Sequence, residues 1–193
     1  AITITAGLTG AKIAGSVVSL ITRNLVFING GSNGNICRSF KSGKLTIGGG
    51  YFNSIASGLY CFNACDTLDI SGGVFVSGGY IINGGIVTVT GGVFSGNPYT
   101  FYGPTVATIS GGSFSGNGNV VVSGVNTSIS GGAFRGNNVV CGSVGTTISG
   151  GSFVGNTSVV NASAACVIIG GTFSGNAQVL NSSSAAVANA SMS

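Results

Sequence analysis

An all-β solenoid, a single-stranded parallel β-helix, is the fold this 193-residue chain predicts, and three observations carry the prediction. The first is a phenylalanine that returns at a nearly constant interval, as Phe75, Phe94, Phe114, Phe134, Phe153 and Phe173, with Phe52 standing slightly farther upstream. A fixed period of about 20 residues marks a repeat architecture. The second is a branched aliphatic five positions before each of them: Ile47, Ile70, Val89, Ile109, Ile129, Ile148 and Ile168. The third is the texture between these positions. Short runs such as Tyr80-Ile81-Ile82, Val120-Val121-Val122 and Val159-Val160 are bounded by Gly, Ser and Asn, which reads as strands between turns. No window shows the apolar i, i+3, i+4, i+7 pattern of an amphipathic helix.

The elements follow in chain order. Residues 1–50 read as irregular first coils, with Ile2-Thr3-Ile4-Thr5 before Ala6-Gly7 and a second degenerate corner at Gly30-Gly31. Residues 51–181 read as regular coils of two or three short strands each, and residues 182–193 as a small, neutral tail. Residues 1–193 are expected to form one domain. A unit this short cannot bury its own apolar face, but stacking on its neighbours can, with strand pairing to strand about 4.8 Å above. The expectation is about nine coils of roughly 19–24 residues, a rod of roughly 40 Å. Right-handedness is expected because parallel crossovers are overwhelmingly right-handed. The phenylalanines and aliphatics then form two inner stacks. Asn97, Asn117, Asn137, Asn156 and Asn176, each three positions after a phenylalanine, form a ladder of side-chain amides at one corner.

One further column bears on assembly. After the Asn position, two adjacent residues are apolar in each coil, and adjacent strand residues face opposite sides. One file is therefore expected outside the tube: Ile82, Phe101, Val121, Cys141, Val160 and Leu180, or its neighbour if the register is reversed. A continuous exposed stripe of this kind marks an interface. The competing reading is a kinked strand that turns both files inward.

GG-x-F-x-x-N resembles the repeats of pectin-lyase-like right-handed β-helices, and in particular the GGA and FxxN phrases of polymorphic outer-membrane proteins and related surface passengers. Five copies fit FxxN, and the resemblance covers nearly the whole chain. It speaks for architecture. In that family the two phrases stand apart, whereas here they are fused, and no barrel sequence follows within these residues. The same ISGGxFSGN text equally fits a viral or phage surface protein.

Composition narrows the class. Charged residues are 4% of the chain, Gly is 37, and 44% is hydrophobic. A soluble chain usually carries about a quarter charged residues, so this surface is unusually neutral, and the hydrophobic content excludes disorder. The net charge of +4 comes from six basic residues, three of them Arg38, Lys41 and Lys44, which are expected to pair with Asp66 or Asp69 and not to bind nucleic acid. No apolar stretch is long enough to offer a membrane span. The chain begins at Ala1, which reads as a processed chain with no signal peptide left to see. Asn126, Asn161, Asn181 and Asn189 are N-x-S triplets, available to a glycosylating host.

Catalytic chemistry finds few residues. The chain has two carboxylates, Asp66 and Asp69, and no His. Glycoside hydrolysis uses a carboxyl pair at a set separation; these two are three apart and would face opposite sides of a strand. Cys37, Cys61, Cys65, Cys141 and Cys166 form no metal pattern. A disulfide among Cys37, Cys61 and Cys65 is one open reading, and Cys141 reads as a small apolar filler. The Gly-Gly pairs read as tight corners, since no helix follows to hold a phosphate. The chain is expected to be no enzyme, with no catalytic, metal or cofactor site.

Three functions remain. The first is a non-catalytic structural component of an extracellular, cell or virion surface, a fibre, spike or shell element assembling with itself or with other surface or capsid proteins. The second is a glycan- or receptor-binding adhesin module. Tyr51, Tyr60, Tyr80, Tyr99 and Tyr102 are its aromatic candidates and read as scattered over three coils. The third is an ice-binding face, suggested by Thr88-Val89-Thr90, Thr108-Ile109-Ser110, Ser128-Ile129-Ser130 and Thr147-Ile148-Ser149, whose flanking hydroxyls would stack into two outward files. Near-absence of charge ranks the structural reading first, because a freely diffusing protein needs charge for solubility.

Overall fold

The structure is a computed structural model that describes residues 3–4, 17–20, 26–29, 37–38, 44–54, 60–63, 66–77, 79–162, 165–182, 184–187 and 190–193. The strands form three sheets, of ten, nine and eight strands, with no helix among the described residues. Every strand pairing in them is parallel, and each pairing joins a strand to its counterpart one turn away. One turn runs through Thr67–Ile70, Val74–Ser77 and Tyr80–Asn83, and the next strand, Ile86–Val89, lies beside Thr67–Ile70. We call the three faces the hydroxyl, phenylalanine and tyrosine sheets. The chain is thus an all-β parallel solenoid.

Its regular part is about six turns, from Thr67–Ile70 to Gln178–Ser182. The nine expected coils also include those upstream of Thr67, beginning with the two degenerate ones. Upstream strands, such as Val17–Leu20 and Val26–Asn29, do extend the same sheets.

The two inner stacks form as the period requires. Phe52, Phe75, Phe94, Phe114, Phe134, Phe153 and Phe173 are buried, and successive rings lie 4.7–4.8 Å apart within 7° of parallel. That spacing is the strand spacing, so each ring follows its own backbone without tilting. Ile47, Ile70, Val89, Ile109, Ile129, Ile148 and Ile168 stack in register and are buried on the inner side of the hydroxyl sheet.

The Gly-Gly corner before each phenylalanine has a steric cause. A Cβ on Gly91 would sit 2.3 Å from the carbonyl oxygen of Ser71 in the turn above, a distance no side chain tolerates. Gly92 takes φ +99°, where only glycine is at ease, and the Phe94 ring closes the space beside it.

The Asn ladder seals the next corner. Nδ2 of Asn97, Asn117, Asn137 and Asn156 each donates to Oδ1 of the following Asn at 2.8–3.0 Å. Each Nδ2 also donates to a phenylalanine carbonyl of the preceding turn, Asn117 to Phe94 at 3.1 Å for example. The backbone N–H of each shares the same Oδ1 acceptor. A buried corner thereby leaves few polar groups unmade. Oδ1 of Asn97 is the exception: it is buried and without a partner, and the sequence has Gly78 where the preceding Asn would stand.

The apolar file expected on the outside lies inside. Ile82, Phe101, Val121, Cys141 and Val160 are fully buried, and Leu180 packs partly buried against the same core. Their neighbours Ile81, Val120, Val140 and Val159 are fully buried too. The strand kinks between the two files. In the ladder Tyr80 pairs with Tyr99 and Ile82 with Phe101, while the residue between is skipped, and the skip recurs turn after turn. A strand that bends at one residue can point two successive side chains inward. The interface expected from an exposed stripe therefore loses its basis.

A tyrosine platform as candidate binding site

Asp66 lies in the exposed corner before its strand, and Asp69 points outward from Thr67–Ile70, paired with Lys44 in a salt bridge. The expectation that these carboxylates face opposite sides of one strand fails because Asp66 precedes the strand. No group of three or more His, Cys, Asp or Glu gathers among the described residues.

Cys141 and Cys166 are buried free thiols. Cys141 stands in register with Val121 and Val160, the filler position expected of it, with Sγ 3.1 Å from Thr146 Oγ1. Burial pushes the Cys166 thiol up from 9.0 to about 11; Cys141 adds to the rise and the Val167 backbone opposes it. A thiol so hard to ionise is a poor nucleophile. The side chains of Cys37, Cys61 and Cys65, and with them the disulfide reading, lie outside the described residues.

The hydroxyl sheet carries the expected outward file, with Thr88, Thr108, Ser128 and Thr147 in register. The second file is partly engaged with backbone: Thr90 Oγ1 donates to the Ile70 carbonyl at 3.5 Å and Ser110 Oγ to that of Val89 at 3.4 Å. Asp69 and Val167 stand in register with the first file and interrupt it.

The tyrosine sheet is where the outward residues gather. Tyr80 and Tyr99 stack face to face, ring centroids 4.7 Å apart and 14° from parallel. Tyr102 meets both edge-on, at 5.2 Å from Tyr80 and 6.0 Å from Tyr99. Strand register adds Tyr60 above Tyr80, and sets Asn63 and Asn83 above Tyr102 in the adjacent column. Below Tyr99 comes Asn119, and below Tyr102 comes Val122. Tyr80, Tyr99 and Tyr102 are each partly buried. Stacked and edge-on arrangements are the favoured geometries of aromatic pairs.

Of the tyrosines that read in sequence as a scatter, Tyr80, Tyr99 and Tyr102 form one platform. The signal was present in the spacing: Tyr60, Tyr80 and Tyr99 recur at the period of the coil itself. Tyr51 belongs elsewhere, on the phenylalanine sheet opposite Val74. The chain's two prolines, Pro98 and Pro104, bracket the strand Tyr99–Tyr102 that supplies two of the three rings. No family model, curated protein or solved structure matches the chain.

Proposed function

We propose that this chain is a non-catalytic solenoid displayed on an extracellular, cell or virion surface, and that it recognises carbohydrate through the tyrosine sheet. The single observation that carries the reading is the Tyr80–Tyr99–Tyr102 cluster with amides beside it. None of these outward side chains is needed to close the solenoid, since other turns place Asn119, Val139 or Ser158 at the same register. Aromatic faces with a few polar groups are the composition of ligand sites. The GG-x-F-x-x-N text supports kinship with pectin-lyase-like right-handed helices, and the right hand belongs to this proposal. A glycan array probed with the purified chain tests the reading. Binding that disappears in a Tyr80→Ala/Tyr99→Ala double variant of unchanged β-rich spectrum supports it; an array without hits overturns it.

A structural role as a fibre, spike or shell element is the second reading. It is favoured by the 4% charge and by Ile86, Val125 and Val144, aliphatics 44%, 54% and 49% exposed where the chain enters the hydroxyl sheet. Light scattering of the native protein decides: a polymer or large particle supports assembly, and a monodisperse monomer counts against it.

A further inference from the structure

The outer face of the tyrosine sheet changes height abruptly. Down one column the residues are Tyr80, Tyr99, Asn119 and Val139; down the other, Asn83, Tyr102, Val122 and Gly142. Both columns fall from a phenol to a much shorter side chain at the same turn. One face of the Tyr99 ring is covered by Tyr80. Beyond its opposite face the register places the shorter, partly buried Asn119 and then Val139, with Val122 in the adjacent column, and these form the floor of a step. A fourth tyrosine would fill that step.

We infer that this step seats one pyranose ring of a neutral glycan, which takes the place of a fourth ring in the stack; the inference rests on the carbohydrate reading above. Three features select this occupant. A pyranose presents a patch of C–H groups, electropositive at its edge, that matches the negative face of an aromatic ring. Its hydroxyl rim needs both donors and acceptors at short range, and an Asn amide supplies both; Asn119 stands at the floor. Charge supplies the third. The strands of this face from Tyr60–Asn63 to Gln178–Ser182 contain no Asp, Glu, Lys or Arg. An acidic sugar would shed solvent there without meeting a countercharge. Pro98 and Pro104 hold the strand ends, so little order has to be gained on binding.

The test uses the whole chain on an array of neutral and acidic oligosaccharides, followed by titration calorimetry of the best neutral hit. Hits should be neutral pyranosides. Tyr99→Ala should weaken binding by about tenfold or more, while Tyr99→Phe, which keeps the ring, should stay within about threefold. Asn119→Tyr fills the step with protein and should abolish binding without lowering the melting temperature. Val122→Tyr, filling it from the other column, should do the same and serves as the second arm if Asn119→Tyr does not fold. Neutral hits that survive both filled-step variants would overturn the seat and leave the carbohydrate reading standing. Hits confined to acidic sugars would overturn the neutral ligand. An array with no hits would overturn the seat and the carbohydrate reading together.

Discussion

Asn117 donates its side-chain amide to Asn137 Oδ1 at 2.9 Å, and its backbone N–H reaches the same oxygen at 3.0 Å. One acceptor thus closes two donors, and the same amide nitrogen reaches back to the Phe94 carbonyl. The ladder therefore couples three successive turns at each rung.

Removing a middle rung should cost more than removing the first. Asn137→Ala strands the Asn117 backbone N–H and one of its two amide hydrogens and loses two donors of its own, so a loss of about 3 kcal/mol or more is expected, at about 1–3 kcal/mol per buried group left unmade. Asn97→Ala should lose less, because Asn97 Oδ1 already lacks a partner. Urea unfolding of both variants checks the order; equal losses would mean the ladder is not cooperative across turns.

Phe134→Ala should lose about 3–5 kcal/mol, the usual range for truncating a fully buried aromatic. Phe134 lies between Phe114 and Phe153, with ring centroids 4.8 Å from each. Denaturant midpoints with an unchanged slope would show the loss; a change below about 1 kcal/mol, on the order of a surface substitution, would mean the rings are not the core.

The two kinds of glycine in GG-x-F-x-G-N should respond differently. Gly91→Ala forces a Cβ against the Ser71 carbonyl oxygen and should prevent the corner from closing. Gly96→Ala meets open space but keeps φ +65°, so about 1–2 kcal/mol is expected. Circular dichroism melts of both variants separate steric exclusion from backbone strain. The same melting temperature for both would contradict this account.

The stacks, the ladder and the corners were legible because each depends on a residue type recurring at the coil period. Phe94, Asn97 and Gly91 have counterparts one coil on, in Phe114, Asn117 and Gly111, and repetition alone identifies them. The inward position of Ile82 was legible only as the competing reading. Strict alternation assigns it to the outside, and only the kink at Ile81 moves it in, a backbone event with no residue signature of its own. The tyrosine platform lay between these cases. Its spacing is periodic, but three copies are too few to separate a column from chance until the strands are aligned.

The buried thiol makes a prediction in pH. Folding favours the protonated form of Cys166, so its contribution to stability is complete below pH 9.0 and is lost as pH rises through about 11. Urea midpoints should fall across that window more steeply for the native chain than for Cys166→Ala. Parallel curves would show that the thiol ionises as readily folded as unfolded.

The chain has five Tyr and no Trp, so its intrinsic fluorescence comes from tyrosine alone, and Tyr60, Tyr80, Tyr99 and Tyr102 fall on the strands of one face. Titrating the native protein with the best neutral oligosaccharide while following that emission is the most direct test of recognition by the tyrosine sheet. The account predicts a saturable change whose midpoint matches the calorimetric affinity and which vanishes in Tyr99→Ala. Binding by calorimetry with no change in emission would place the ligand elsewhere on the solenoid and contradict it.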